Sequence, residues 1–138
     1  MVLTGARTVD RLVESTNRHD VDGMTGCLHE DYRSEQPLHP EAGFGGREQV
    51  ATNWTAMFAE VPDLRFDVQR AAIAGDEVWT EVRVHGTKRD GRPLEYRGMA
   101  VWGLRGDLIA WARLYFEPVQ VGGPGIDERI QQVLGRDQ

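Results

Sequence analysis

The sequence predicts an α+β domain, and three observations carry that prediction. Apolar residues recur at helical spacing up to about residue 60, the period switches to two from residue 64, and Gly-Asp and Asp-Gly pairs then divide the alternating runs into strands. The chain has 138 residues, which is one domain with a core that removes about two-thirds of the unfolded surface from water. Its 40% apolar and 28% charged content excludes a disordered chain.

Val9, Leu12, Val13 and Thr16 share one face of a first helix, Thr8 to Asn17, with charged residues between them. Asp20 is placed to cap a second, short helix carrying Val21, Met24 and Leu28 on one side. The segment Glu30 to Gly46 shows no sustained period and contains two prolines and three glycines, so it reads as a long irregular connection. Such loops often carry function. A third helix, Arg47 to about Glu60, aligns Val50, Trp54, Met57, Phe58 and the following Val61, and Pro62 stops it.

Leu64, Phe66 and Val68 then alternate with Arg65, Asp67 and Gln69, the pattern of a strand with one buried face. Gly75-Asp76 turns the chain. Further strands follow over about Val78 to Gly86, Leu94 to Leu104 and Leu108 to Glu117, separated by Asp90-Gly91 and Gly106-Asp107. Three helices followed by a four-stranded antiparallel meander result. Residues 1–119 make up this domain; residues 120–138 hold a Gly/Pro linker and a short terminal helix with Ile126, Ile130, Val133 and Leu134.

Sixteen basic against 22 acidic side chains give a net charge of −6, so no basic excess exists to follow a phosphate or anionic lipid surface. Neither nucleic acid nor a membrane is an expected partner. No stretch approaches the roughly 18 apolar residues of a membrane span, and the first residues lack a signal-peptide core. A single cysteine, Cys27, forbids an intrachain disulfide and fits a reducing cytoplasm. Four scattered histidines supply no metal set, and His29-Glu30 is not the zinc pattern because Arg33 occupies its last position. Gly43, Gly45 and Gly46 read as a tight entry into the third helix, with no preceding strand and no Gly-Lys-Ser/Thr to make a phosphate loop. No cofactor is implied.

Five segments carry a resemblance: Asn17-Arg18-His19-Asp20, Phe44-Gly45-Gly46-Arg47-Glu48, His85-Gly86-Thr87, Tyr96-Arg97-Gly98, and Ile109 to Glu117. Over about residues 8–119 the chain resembles the SnoaL-like, polyketide cyclase-like family of the nuclear transport factor 2-like superfamily. That resemblance implies a cone-shaped, cystatin-like α+β fold, with three N-terminal helices on a curved antiparallel sheet around a pocket. It also implies a homodimer formed through the convex sheet face. Function is not implied, because the superfamily includes ketosteroid isomerases, polyketide cyclases, epoxide hydrolases and proteins that only bind.

The relatives' catalytic positions do not carry over. The ketosteroid isomerase base, an aspartate before a proline, matches Gln36 before Pro37; the oxyanion-hole tyrosine matches Leu12; the protonated aspartate falls near Ala100. The epoxide hydrolase arginine and aspartates match Val82, Val84 and Leu114, and Leu114 also replaces the SnoaL-type acid.

The same correspondences set strand parity. Val78, Thr80, Val82 and Val84, then Leu94, Tyr96, Gly98, Ala100, Trp102 and Leu104, then Ala112, Leu114 and Phe116 are expected to face the pocket. Trp79, Glu81, Arg83, His85, Glu95, Arg97, Arg113, Tyr115 and Glu117 face outward as a charged surface able to pair across strands. His39 is the leading catalytic candidate, an imidazole at the pocket mouth, with Glu35 to orient it and Tyr96 or Tyr32 to donate to a carbonyl oxygen. The plainer readings are a surface-loop histidine, a solvated glutamate and core tyrosines. Gln36, Trp54, Phe58, Thr80, Val82, Trp102, Leu114 and Phe116 complete the expected ligand-binding set, with ordinary core as the alternative for the aromatics. The expected function is therefore capture of a small, mostly hydrophobic molecule, with cofactor-independent cyclisation, isomerisation or hydration as possible chemistry. The alternatives are a non-catalytic binder or a dimeric interaction domain.

Overall fold

In the computed structural model, which describes residues 2–136, helix α1 (Arg7–Asn17) buries Thr8, Val9, Leu12, Val13 and Thr16, the stripe its periodicity marks. Its end is fixed by side chains. Asn17 Nδ2 donates to the Phe66 carbonyl at 3.0 Å and its Oδ1 accepts from the Phe66 amide at 2.7 Å, clamping the helix to the strand that follows. His19 adopts the left-handed region at φ 57°, bonds the Leu64 carbonyl through Nε2 at 2.9 Å and stacks on Phe58 at 4.1 Å. Asp20 then accepts from the Gly23 amide at 3.0 Å and caps α2 (Val21–Thr25). The Asn17 to Asp20 motif is thus a structural corner.

The connection expected to be irregular is largely a strand. β1 (Leu28–Glu35) starts at the leucine expected on the second helix, and β2 (Phe44–Gly45) pairs with it after a short 3-10 turn at Pro40–Ala42. A strand therefore does precede the third helix. Tyr32 and Ser34 point inward with 6% and 3% exposure while Asp31 and Arg33 face solvent. That alternation has period two, but its inward set includes a hydroxyl pair instead of aliphatics, so hydropathy hides it. Helix α3 (Arg47–Glu60) buries only Val50 fully, and Val61 closes its end at 1% exposure.

β3 (Arg65–Ala74), β4 (Glu77–Thr87), β5 (Pro93–Arg105) and β6 (Leu108–Leu114) form the expected antiparallel meander. Sheet order is β2-β1-β6-β5-β4-β3, and β1 runs parallel to β6, so the sheet is mixed and open. The last strand does not run unbroken to Glu117. It leaves the sheet after Leu114, and β7 (Glu117–Pro118) re-pairs with β5 at Tyr96↔Pro118 and Arg97↔Glu117. Gly98 permits this crossing: at φ 151° it lies where a Cβ would come 2.4 Å from the Tyr115 carbonyl oxygen.

The core joins Val9, Leu64, Val78, Val82 and Ile109, each at 1% exposure or less. Each such side chain contributes about 1.5–3 kcal/mol of burial. On the outer face Arg83 makes a bidentate pair with Glu95 (2.7 and 2.8 Å), Arg97 reaches the same carboxylate at 2.8 Å, and His85 bonds Asp67 at 2.7 Å. α4 (Ile126–Val133) buries none of its residues. No helix among the described residues is long and apolar enough to cross a membrane.

Candidate functional site

Helices α1, α2 and α3 stand off one end of the inner sheet face and leave a cavity of about 470 Å³. Leu12, Met24, Leu28, Val50, Met57, Phe66, Val84 and Leu94 make its apolar wall. Of the residues expected to bind a ligand, Tyr32, Gln36, Trp54, Trp102, Leu114 and Phe116 line it, as does Tyr96. β1 supplies Tyr32 and Ser34 from alternate positions, and Gln36 follows just past its end, one polar edge on an otherwise greasy chamber. Burial pushes the Tyr32 hydroxyl up to about 12, against a smaller opposing effect of the Ser34 hydroxyl, so Tyr32 stays a neutral donor near pH 7.

Five expected site residues lie elsewhere. Thr80 is fully buried in the packed part of the core, donating to the Ala100 carbonyl at 2.7 Å and accepting from Trp102 Nε1 at 3.1 Å. Val82 is packed beside it at 1% exposure. Phe58 turns to His19. Glu35 lies on the outer side, 3.7 Å from the Arg113 guanidinium, because Ser34 takes the inward position next to it.

His39 sits outside the cavity wall with a 57% exposed side chain, and its partner is not Glu35. Its Nε2 bonds Glu117 Oε1 at 2.6 Å, and Glu117 does line the cavity. Strand parity places Glu117 outward, and its register opposite the outward Arg97 agrees, so Phe116 turns into the chamber while Glu117 stands at its rim. The rim therefore carries a carboxylate, one that no inherited catalytic position marks. Ser34, Phe44 and Asn53 are further lining residues that the sequence reading missed. Ser34 was legible in the spacing from Tyr32; Phe44 and Asn53 carry no signal of their own.

Among the described residues no cluster of three or more metal-ligating side chains forms. Chemically the chamber offers hydroxyls from Tyr32, Ser34 and Tyr96 and amides from Gln36 and Asn53, with the Glu117 carboxylate at its rim.

A mixed open sheet whose helices hold off one end of its inner face gives the chain the α+β fold of nuclear transport factor 2-like proteins. The chain belongs to the SnoaL-like domain family, whose model matches residues 9–112. Three solved structures illustrate the fold. An LEH-like epoxide hydrolase from Mycobacterium tuberculosis is 20% identical, with 81% of each chain covered and a TM-score of 0.70. An NTF2-like protein of unknown function from Burkholderia pseudomallei is 16% identical, covering 84% of this chain and 92% of that one, TM-score 0.71. RV0760c from Mycobacterium tuberculosis, in complex with estradiol-17beta-hemisuccinate, is 19% identical over 83% of this chain and 95% of that one, TM-score 0.71. No functionally curated protein matches the sequence significantly.

Proposed function

We propose that this chain binds a small, mostly hydrophobic molecule between its helices and sheet. The observation that carries the reading is the cavity of about 470 Å³ with apolar walls and a few polar groups on one side. Pockets for small ligands fall at about 300–1,000 Å³ and have that composition. The estradiol ester held by RV0760c, a protein of the same fold, supports a ligand of this kind. Trp54 and Trp102 in the wall supply a built-in reporter. Titration with the neutral dye N-phenyl-1-naphthylamine is expected to quench their fluorescence saturably at one site per chain. Leu114→Trp, which narrows the chamber, is expected to weaken the effect. Non-saturable quenching that Leu114→Trp leaves intact overturns the reading.

A catalytic version rests on the His39–Glu117 contact. Glu117 would exchange a proton with the bound molecule, and His39, outside the wall, would be a positioning residue. Turnover across a panel of enones, epoxides and polyketones, lost in Glu117→Gln and shifted in its pH profile in His39→Ala, supports this version. Binding without any turnover leaves a plain binder.

The outer sheet face, with Trp79 44% exposed beside the Arg83–Glu95–Arg97 ladder, suits a homodimer contact. Trp79→Glu is expected to shift a dimer to monomer in analytical ultracentrifugation. The buried thiol of Cys27 suits a reducing compartment such as the cytoplasm.

A further inference from the structure

We infer that the Tyr32 and Ser34 hydroxyls form a subsite for a carbonyl oxygen, so that the captured molecule is an uncharged carbonyl compound held with its oxygen against β1. This inference rests on the binding reading above and names the chemistry of the ligand's buried end. An exception among the buried hydroxyls carries it. Thr4, Thr8, Thr16 and Thr80, all buried, each donate to a backbone carbonyl, those of Ala6, Asp107, Leu12 and Ala100, at 3.3, 2.7, 2.8 and 2.7 Å. Ser34 and Tyr32 are buried too, but they line the chamber, and among the described residues no backbone carbonyl, carboxylate or amide accepts from either hydroxyl.

The two hydroxyls are hydrogen-bonding neighbours of each other. Each carries one hydrogen, and a bond between them uses only one, so whichever way it runs the second hydrogen is left for the chamber. A buried donor without an acceptor is destabilising, and a ligand oxygen placed there relieves it. Burial pushes the Tyr32 hydroxyl up to about 12, so the donor persists across the neutral range. The strand holds the pair in place: Ser34 is in register with Phe44 of β2 and Ala112 of β6, and the Tyr32 carbonyl accepts from the Gly46 amide at 2.8 Å. No lysine, arginine or histidine is among the described residues that line the chamber, and at its rim Glu117 is matched by His39 at 2.6 Å. A ligand ion would shed its water without a free charge to meet it, whereas a carbonyl sheds less and gains the waiting hydrogen.

The test uses two ligands of one shape, 2-acetonaphthone and 2-isopropenylnaphthalene, which differ only in C=O against C=CH2. Their affinities are read from displacement of N-phenyl-1-naphthylamine from the full chain at pH 7. Combining Tyr32→Phe with Ser34→Ala is expected to lower the ketone-to-alkene affinity ratio about fivefold or more, with the alkene itself bound no more weakly. Either substitution alone is expected to lower the ratio less, because the remaining hydroxyl keeps its hydrogen. Thermal melts check that the variants fold. A second readout needs no variant: the infrared carbonyl band of the bound ketone is expected at lower frequency than in an alkane solvent. A ratio unmoved in the double variant, or a bound band at the alkane position, overturns the carbonyl subsite and leaves the binding reading in place. Dye binding that neither ligand reverses does the same. Absence of dye binding overturns the binding reading and this inference with it.

Discussion

Near the first turn of α1, the inner sheet face is solid: Val78, Thr80, Ala100, Ile109 and Ala112 are all at 0% exposure, and Thr8 ties the helix to the β5–β6 turn through the Asp107 carbonyl at 2.7 Å. At the other end of the same face, Val84, Leu94, Tyr96, Leu114 and Phe116 surround a chamber. Both ends use the same alternation of apolar and polar residues on the same strands. The covering helix makes the difference. α1 lies directly on β3 and β6, whereas α3 touches the sheet chiefly through β1 and presents Trp54 and Met57 to open space. Side-chain alternation decides which face is covered; the stand-off of the covering helix decides whether that face is core or container.

The sharpest way to break this comparison is a matched pair of truncations. Ile109→Ala at the solid end is expected to cost about 2–5 kcal/mol in urea denaturation, because the packed surroundings cannot collapse onto the hole. Met57→Ala, beside a space that already exists, is expected to cost on the order of 1 kcal/mol. Equal losses would mean that the two ends are packed alike. Next in size, Thr80→Val removes the acceptor of the buried Trp102 indole N–H and is expected to cost about 1–3 kcal/mol. Dye affinity is expected to hold, since Thr80 lies outside the chamber; a large loss of affinity would extend the container into the solid end.

Ionisation sharpens the contrast further. Tyr32 is expected to ionise near pH 12 in an ultraviolet titration, and Tyr32→Phe is expected to delete that step. Its raised folded-state value means that the stability it contributes is complete below pH 10 and is lost as pH rises from 10 through 12. The outer face shows the smallest effect and the opposite sign. Arg83, then Arg97, hold Glu95 down to about 2 from an ordinary 4.5, so its contribution is present above pH 4.5 and is lost as pH falls through 2. Glu95→Gln is expected to flatten the acid limb of a melting-temperature profile over that interval. An unchanged limb would remove the ladder from the account of acid stability.

Period and punctuation made most of the fold legible: α1, α3 and the meander fall where the residues put them, and the inward parity of β4 holds along its length. β1 escaped because Tyr32 and Ser34 alternate with the charged Asp31, Arg33 and Glu35, and a strand polar on both faces leaves no hydropathy signal. The short β7 escaped because an alternating run presumes an unbroken strand, and the crossing at Gly98 is a tertiary event with only a glycine to mark it. The aromatic and aliphatic wall residues were legible as inward-facing. Their division into packed and hollow sets was not, since helix stand-off arises from contacts distant in sequence. The Glu117 partner of His39 lies 78 residues away from it, beyond any local pattern.

The parallel pairing of β1 with β6 sets an order of events in folding. Leu28 and Ile109, paired across that ladder, are about eighty residues apart in the chain. Closing so long a loop comes late and slowly compared with the hairpins of the meander, which join neighbouring segments. The polar edge of the chamber travels on β1, so it arrives only when the sheet is otherwise assembled. A chain leaving the ribosome makes its hairpins first, Tyr96 with them, and brings the Tyr32 and Ser34 hydroxyls to the chamber last. The chamber is therefore completed in the final step of folding.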